Sequence, residues 1–199
     1  MCLGLCTLSD ENVRKVLADP PLIWKVIAPA DPEAYENARN EAPAGFLSKL
    51  FGKGKTPEPP RVEFSLADGE VADSDLDKAW HGIHYLLTQT AWEGDEPLNF
   101  LISGGSTVGE IDVGYGPARV FSADEVKAIF AALGPLDREV LRARFNPEEM
   151  MNLEIYPAIW DRDPADDDTF GYCAEYFESL KTFVEQTASR NLGLVVYLT

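Results

Sequence analysis

Apolar residues dominate two short stretches at opposite ends of the chain. Leu3 to Leu8 and Leu194 to Leu198 are almost continuous apolar runs of strand length, as expected of buried strands. Between them, apolar residues recur mainly at helical spacing. This arrangement predicts an α+β fold: a single compact domain in which a small mixed sheet includes both terminal strands and is packed with several helices.

Several helices are predicted from their caps, their apolar spacing and their breakers. Ser122 to Glu125 is a capping box, in which a serine caps the first turn and a glutamate three residues later reaches back to it. Gly134-Pro135 ends that helix. The longest helix is expected from about Thr169 to Ser189. Further helices are predicted after Ser9, from Pro32 to Asn40, after Ser74 or Asp75, after Asp137 and after Asn146.

Three other stretches give weaker or different signals. Arg61 to Leu66 alternates in polarity, which predicts a strand, whereas Leu22 to Ala28 is apolar between prolines and fits helix or strand. Gly45 to Pro60 joins a small apolar patch to a basic continuation rich in glycine and proline. We expect a flexible loop or insert there. Alternatively, its apolar residues serve as a docking segment.

One predicted helix holds the titratable side chains that could take part in chemistry. The segment Asp77-Lys-Ala-Trp-His-Gly-Ile-His-Tyr-Leu-Leu-Thr88 contains both histidines of the chain. At 3.6 residues per turn, one stripe of this helix carries Asp77, His81, His84 and Thr88, beside an apolar face that includes Trp80. A titratable stripe of this kind is a candidate site.

Three interpretations of the stripe are open. A His-x-x-His pair can chelate a transition metal, but the familiar helical zinc pair has its histidines four residues apart with a glutamate between them, so we expect no metal. The histidines can act as general acids or bases, or as hydrogen-bond partners of a ligand. Alternatively the stripe is structural, with Asp77 and His81 forming a local ion pair and His84 lying at the margin of the core.

Two tyrosines extend the set of candidate pocket residues. Tyr115 and Tyr156 each lie beside glycine or proline in a tight connection. Tyrosines in turns are commonly buried and hydrogen-bonded through the hydroxyl, and less commonly line a pocket. The candidate binding residues are therefore Asp77, Trp80, His81, His84, Tyr115 and Tyr156.

Other motifs argue against several kinds of site. Asp161 to Asp168 is acidic but lacks the glycine and the glutamate of a calcium-binding loop, so we expect a solvated loop. The Gly104-Gly105 loop has no lysine to support nucleotide binding. No Gly-x-Ser-x-Gly elbow is present and no cysteine has a basic neighbour, so nucleophilic catalysis is not indicated. We expect no cofactor.

The net charge is distributed unevenly along the chain. Residues 1–61 carry eight basic and eight acidic side chains, whereas residues 62–199 carry nine basic and 26 acidic ones. The whole net charge of −17 therefore belongs to the second region. Such a field disfavours nucleic acid and anionic membranes and favours a basic protein partner. It is also compatible with a role in solubility alone.

Cysteine usage and the apolar runs indicate a compartment. The three cysteines, Cys2, Cys6 and Cys173, follow no zinc spacing. No apolar run is long enough to span a bilayer, and no basic residue precedes the short apolar start as in a signal peptide. We expect a soluble protein of the reducing cytoplasm.

Three motifs occur in a fixed order: the Asp77–Thr88 segment, then Gly114-Tyr-Gly-Pro-Ala-Arg119 followed by Ser122-x-x-Glu125, then Glu154-Ile-Tyr-Pro157. In this order they resemble the bacterial YfbM-like family, a domain of unknown function. The resemblance covers nearly the whole chain, and the tryptophan–histidine helix is its most specific mark. It implies one compact domain over residues 1–199 and brings no established activity, cofactor or catalytic residue.

Two classes of function are consistent with these observations. The first is a non-enzymatic acidic protein that engages a basic protein partner, as an antitoxin-like or immunity-type neutraliser would. The second is an enzyme or small-ligand-binding protein that uses the face of Asp77, His81 and His84. The second requires those side chains to converge on a concave pocket, and imidazoles packed in the core would contradict it.

Overall fold

A five-stranded antiparallel sheet lies at the centre of the protein in the computed structural model, which describes residues 1–41 and 62–199. The strands are β1 (Leu3–Leu8), β2 (Asp73–Asp75), β3 (Ser106–Asp112), β4 (Pro117–Phe121) and β5 (Gly193–Leu198), and their order in the sheet is β2-β1-β5-β4-β3. β1 pairs with β5 along its whole length. The two terminal runs therefore share one sheet, as predicted.

The pairing of strands differs from the sequence prediction in one respect. Each pair of neighbouring strands is antiparallel, so the expectation of a mixed sheet is corrected. β3 and β4 form a hairpin, which is antiparallel by construction, and β5 runs opposite to both β4 and β1. An apolar run indicates burial but does not indicate strand direction, because direction depends on the connections.

Both faces of the sheet are covered. In β1, Leu3 and Leu5 belong to one hydrophobic core, while Cys6 and Leu8 belong to another. Successive strand residues point to opposite faces, so the two cores lie on the two sides of the sheet. This double burial explains why the terminal strands are continuously apolar rather than alternating.

The described residues form eight α-helices: α1 (Asp10–Ala18), α2 (Ile23–Ile27), α3 (Pro32–Glu41), α4 (Trp80–Thr88), α5 (Ala123–Leu133), α6 (Arg138–Arg144), α7 (Pro147–Asn152) and α8 (Thr169–Ser189). Helices α1 to α3 supply one core, and α4 to α8 supply the other. Four of the predicted caps are present: Ser122 and Glu125 complete the capping box of α5, and Ser9, Asp137 and Asn146 cap α1, α6 and α7. The whole is a single compact α+β domain.

The structure decides the conformation of two segments whose sequence signals were weaker. Residues 62–66 form no strand, although Val62, Phe64 and Leu66 pack against the core beside α1. Their alternation reflects packing on one side only, and the segment is not paired with a neighbouring strand. Leu22 to Ala28 is resolved as a 3₁₀ turn (Pro20–Leu22) followed by α2. The predicted loop or insert at Gly45 to Pro60 lies outside the described residues.

The helix that carries the histidines starts later than predicted. Ser74 and Asp75 belong to β2, where they pair with β1, so they cannot cap a helix. Asp77 follows with φ of +43°, in the left-handed region, and α4 begins only at Trp80.

Within residues 1–41 and 62–199, no helix is both long enough and apolar enough to cross a membrane.

Candidate functional site

Helix α4 carries the two histidines into the core. Every residue from Trp80 to Leu87 is buried, and His81 and His84 have no exposed surface. Gly82 allows this close packing, because a Cβ at Gly82 would lie 2.5 Å from the Trp160 ring and 2.7 Å from Cys173 Sγ. The helix is therefore enclosed by its neighbours on all sides.

The hydrogen bonds of His81 define its protonation state. Nε2 lies 2.7 Å from the carbonyl oxygen of Ala91, and Nδ1 lies 3.0 Å from the backbone nitrogen of Tyr156. A carbonyl only accepts and an N–H only donates, so we assign His81 as the neutral tautomer with its proton on Nε2. Burial lowers its pKa, which favours the same neutral form. Both ring nitrogens are occupied.

His84 is held in a similar way by the carbonyl of Glu93, two residues after Ala91. Its Nε2 lies 3.0 Å from the carbonyl oxygen of Glu93, while its buried Nδ1 has no hydrogen-bond partner among the described residues. Burial, with a smaller contribution from His81, lowers the pKa of His84 to about 4. The imidazole is thus neutral at pH 7 and donates to the backbone.

Asp77 does not join the histidines. Its carboxylate accepts hydrogen bonds from the Tyr172 hydroxyl at 2.9 Å and from Cys2 Sγ at 3.5 Å. The hydrogen bond from Tyr172 lowers the pKa of Asp77. Because Asp77 precedes α4 and has a left-handed backbone, its predicted place on the stripe and its predicted ion pair with His81 are both wrong. His84 and Thr88 do lie together, with Thr88 Oγ1 3.3 Å from His84 Nε2.

Trp92 covers the buried histidine and brings an aromatic cluster to the surface. The rings of Trp80 and His81 stack at 4.8 Å with an interplanar angle of 7°, and the Trp92 ring lies 4.3 Å from that of His81. Tyr156 stacks on Trp80 at 6.1 Å. Trp92 itself is 56% exposed. It is therefore the accessible member of a cluster whose other members are mostly buried.

Residues 92–96, here the Trp92 loop, are all exposed and include three carboxylates. The loop and the residue before it are anchored from below: His81 and His84 bond the carbonyls of Ala91 and Glu93, and Asn99 Nδ2 donates to the carbonyl of Gly94 at 2.9 Å. The histidines thus act as supports of this loop. Sequence reasoning missed Trp92, although a tryptophan in an acidic turn, outside any apolar periodicity, could have signalled it.

Tyr115 and Tyr156 have different surroundings. Tyr156 is half-buried in the aromatic cluster. Tyr115 is 60% exposed in the turn between β3 and β4 and is not a member of the cluster. Across the described ranges, no three side chains of His, Cys, Asp or Glu converge as a metal-binding group.

Arg119 is a half-buried charged residue that sequence reasoning overlooked. Burial lowers the pKa of its guanidinium to about 10, so it stays charged at pH 7. It donates hydrogen bonds at 2.6–3.3 Å to the carbonyls of Phe100, Leu101, Ser103 and Gly104. The arginine therefore holds the loop that precedes β3. Its place in the Gly-Tyr-Gly-Pro-Ala-Arg motif was the available signal.

The fold and this buried histidine helix define a class of single-domain α+β proteins. Comparison of the chain with known protein families identifies the family. A family model described as "Domain of unknown function (DUF1877)" matches residues 1–197. The chain belongs to this family.

A solved structure shares the fold. It is the crystal structure of YfbM, a protein of unknown function from Escherichia coli, with a TM-score of 0.63 and 16% sequence identity over 98% of each chain. The predicted resemblance to the YfbM-like family is confirmed. No curated protein matches the chain.

Proposed function

We propose that this protein is a non-enzymatic binding protein for a basic protein partner, and that the Trp92 loop is its contact surface. One observation carries the proposal: the Trp92 ring is largely exposed, yet it is packed on a buried histidine whose both nitrogens are hydrogen-bonded. Exposed large aromatic residues that are held rigidly are the usual centres of binding energy in protein interfaces.

Rigidity supports binding through entropy. The carbonyls of Ala91, Glu93 and Gly94 each accept a hydrogen bond from a buried side chain. A loop that is already ordered loses less conformational entropy on association, so the partner binds more tightly. The buried histidines therefore contribute to binding without touching the partner.

Charge supports the choice of a basic partner. Glu93, Asp95 and Glu96 are exposed beside the ring, within a chain whose net charge is −17. Complementary potentials accelerate encounter and select partners. The face of a tryptophan also attracts arginine and lysine through cation–π contact. The same field disfavours nucleic acid and anionic membranes as partners.

The enzymatic alternative has less support. A general acid or base must come within hydrogen-bond reach of the proton that it transfers. His81 and His84 have no exposed surface. Both ring nitrogens of His81 and Nε2 of His84 form hydrogen bonds with backbone groups. The three unpaired thiols fit action in a reducing cytoplasm. Neutralisation of a basic enzyme, as by an antitoxin or immunity protein, is one form that the proposed binding would take.

The test is capture followed by measurement. Immobilised wild type, Trp92→Ala and Leu17→Ala are exposed to a lysate of the organism that encodes the protein, and the captured proteins are purified and titrated. Leu17 is the matched control, because it is an exposed apolar residue on α1, which packs on the other side of the sheet. We expect a basic partner whose affinity falls with salt and with Trp92→Ala, but not with Leu17→Ala. Equal affinity for wild type and Trp92→Ala contradicts the proposal.

A further inference from the structure

A cavity of about 240 Å³ lies beside the Trp92 loop. It opens between the end of that loop, the loop held by Arg119, and helix α5. Its lining is largely apolar and includes Pro97, Phe121 and Ile129, with Glu96 and Asn99 among its few polar groups. Mostly apolar walls with few polar groups are typical of small-molecule sites.

Asn99 is the unusual polar group in this lining. Its side chain is 8% exposed, and its Nδ2 is engaged by the carbonyl of Gly94 at 2.9 Å. This contact fixes the amide orientation. Oδ1 is buried and has no hydrogen-bond partner among the described residues. A buried acceptor left in this state destabilises the protein, and a bound donor would remove that cost.

The space above Gly104 is where the polar groups converge. A Cβ placed on Gly104 would lie 3.5 Å from Glu96 Oε1, 3.6 Å from Asn99 Oδ1 and 3.6 Å from a ring carbon of Phe121. Two acceptors and an aromatic edge thus surround one point. The backbone beneath is fixed, because Arg119 donates to the carbonyl of Gly104.

We infer that this cavity binds an alkylammonium group. The converging oxygens, Asn99 Oδ1 and Glu96 Oε1, only accept hydrogen bonds, and one of them is a carboxylate, so the matching group is a cationic N–H donor. The methylene chain of such a ligand would contact Pro97, Phe121 and Ile129. Arg119 is the nearby positive charge, and its guanidinium is directed at the four backbone carbonyls that it bonds.

The ligand can be a free amine or the side chain of a lysine. Glu96 belongs both to the cavity and to the Trp92 loop, so a partner on the loop could place a lysine here. The inference goes beyond the proposed function and does not depend on it, because a free amine needs no partner protein.

The experiment is a titration of the whole protein with n-butylammonium chloride, in which NMR measures the amide chemical shifts at each ligand concentration. We expect saturable shifts confined to the cavity lining, with a Kd of about 1–10 mM for so small a ligand. n-Butanol, which has the same chain without the charge, should bind at least about tenfold more weakly. Absence of saturable shifts at the lining, or equal binding of n-butanol, would overturn the inference.

Two glycine variants make the test specific. In Gly104→Ala the new methyl occupies the convergence point at ordinary contact distances, with φ of +75°. Gly69→Ala is the matched control, because its φ is +70° and nothing lies within 4 Å of the new Cβ. Both variants place alanine at a similar left-handed backbone position, so the strain in the two is similar. Only Gly104→Ala should weaken n-butylammonium binding, by about tenfold or more.

A charge variant provides an independent readout. Glu96 is exposed, so Glu96→Gln should fold normally while it weakens n-butylammonium binding several-fold. Glu185→Gln is the control, because Glu185 is exposed on α8 and lies outside the lining, and it should leave this binding unchanged. Nα-acetyl-lysine amide then distinguishes the sources: binding at the same residues supports a lysine side chain, and binding of n-butylammonium alone supports a free amine. Unchanged n-butylammonium affinity in both Gly104→Ala and Glu96→Gln would refute the site.

Discussion

Nδ1 of His81 accepts a hydrogen bond from the backbone N–H of Tyr156 across 3.0 Å. This contact joins α4 to a segment 75 residues further along the chain and occupies the nitrogen that a catalytic imidazole would keep free. The opposite nitrogen bonds the carbonyl of Ala91, directly before Trp92. His81 therefore connects two backbone segments and supports the exposed ring, which is a structural role with a consequence for binding.

Replacement of His81 by leucine should destabilise the protein. The variant fills the same space but leaves the N–H of Tyr156 and the carbonyl of Ala91 without their partner, at about 1–3 kcal/mol each. We expect a loss of about 2–5 kcal/mol in urea unfolding. Trp92→Ala is the contrast, since it removes the tilted ring that packs on His81 but retains both hydrogen bonds, and it should cost less. A neutral or stabilising His81→Leu would instead indicate a functional residue kept at the expense of stability.

Stability should fall as the pH drops below 6.5, and His84 should account for part of this fall. Its pKa is about 4 in the folded protein against an ordinary value of 6.5, so the unfolded chain takes up the proton first. The free energy of unfolding therefore has its full value, as far as His84 is concerned, above pH 6.5. It falls as the pH drops from 6.5 to 4. At pH 5.5 the loss is about 1 kcal/mol for His84. The pKa of His81 is lowered too, which adds in the same direction.

His84→Gln tests this pH dependence, because the amide can still donate to the carbonyl of Glu93 but does not titrate. Urea unfolding at pH 7.5 and 5.5 should give a smaller difference in the variant than in wild type. Carboxylates with lowered pKa, such as Glu70 and Asp77, contribute only at lower pH. An identical pH dependence in both proteins would show that His84 is not the titrating group.

Gly82→Ala should destabilise the protein even though alanine is the better helix former. Alanine gains about 1 kcal/mol of intrinsic propensity. Its Cβ, however, would lie 2.5 Å from the Trp160 ring, and overpacking of a rigid core typically costs about 1–3 kcal/mol. We expect a net loss of up to about 2 kcal/mol by thermal or urea unfolding. A rise in stability would mean that α4 packs less closely than the structure indicates.

Arg119→Lys should cost about 2–4 kcal/mol of stability. The planar guanidinium donates to four carbonyls at once, and an ammonium cannot reproduce that fork. Carbonyls left without a donor in a buried loop carry the desolvation penalty. Arg14→Lys on the exposed side of α1 is the control and should be nearly neutral. Equal effects of the two changes would contradict the assigned role.

Much of the fold follows from local sequence signals, and most of the site does not. β1 and β5 are buried on both faces, which their continuous apolar runs indicate, and Ser122 caps α5 through hydrogen bonds within four residues. The start of α4 was misplaced because Ser74 and Asp75 resemble a helix cap, whereas pairing with β1 decides their conformation. Tertiary pairing overrides local preference in such cases.

The surface that we propose for binding depends on contacts that no local pattern contains. Trp92 rests on His81, and Asn99 reaches the carbonyl of Gly94. The cavity is lined by residues from two stretches of the chain, 96–105 and 121–129. The two histidines were predicted as candidates from their spacing alone, but only their hydrogen-bond partners identify them as supports of the neighbouring loop.

The central claim is that Trp92 is the anchor for a basic protein partner. Isothermal titration of the purified partner with wild type and Trp92→Ala, at one pH and salt concentration, tests it most directly because this change leaves the net charge unaltered. We predict that the Kd rises at least about tenfold in Trp92→Ala, in line with the loss of a hot-spot tryptophan. An unchanged Kd would contradict the claim.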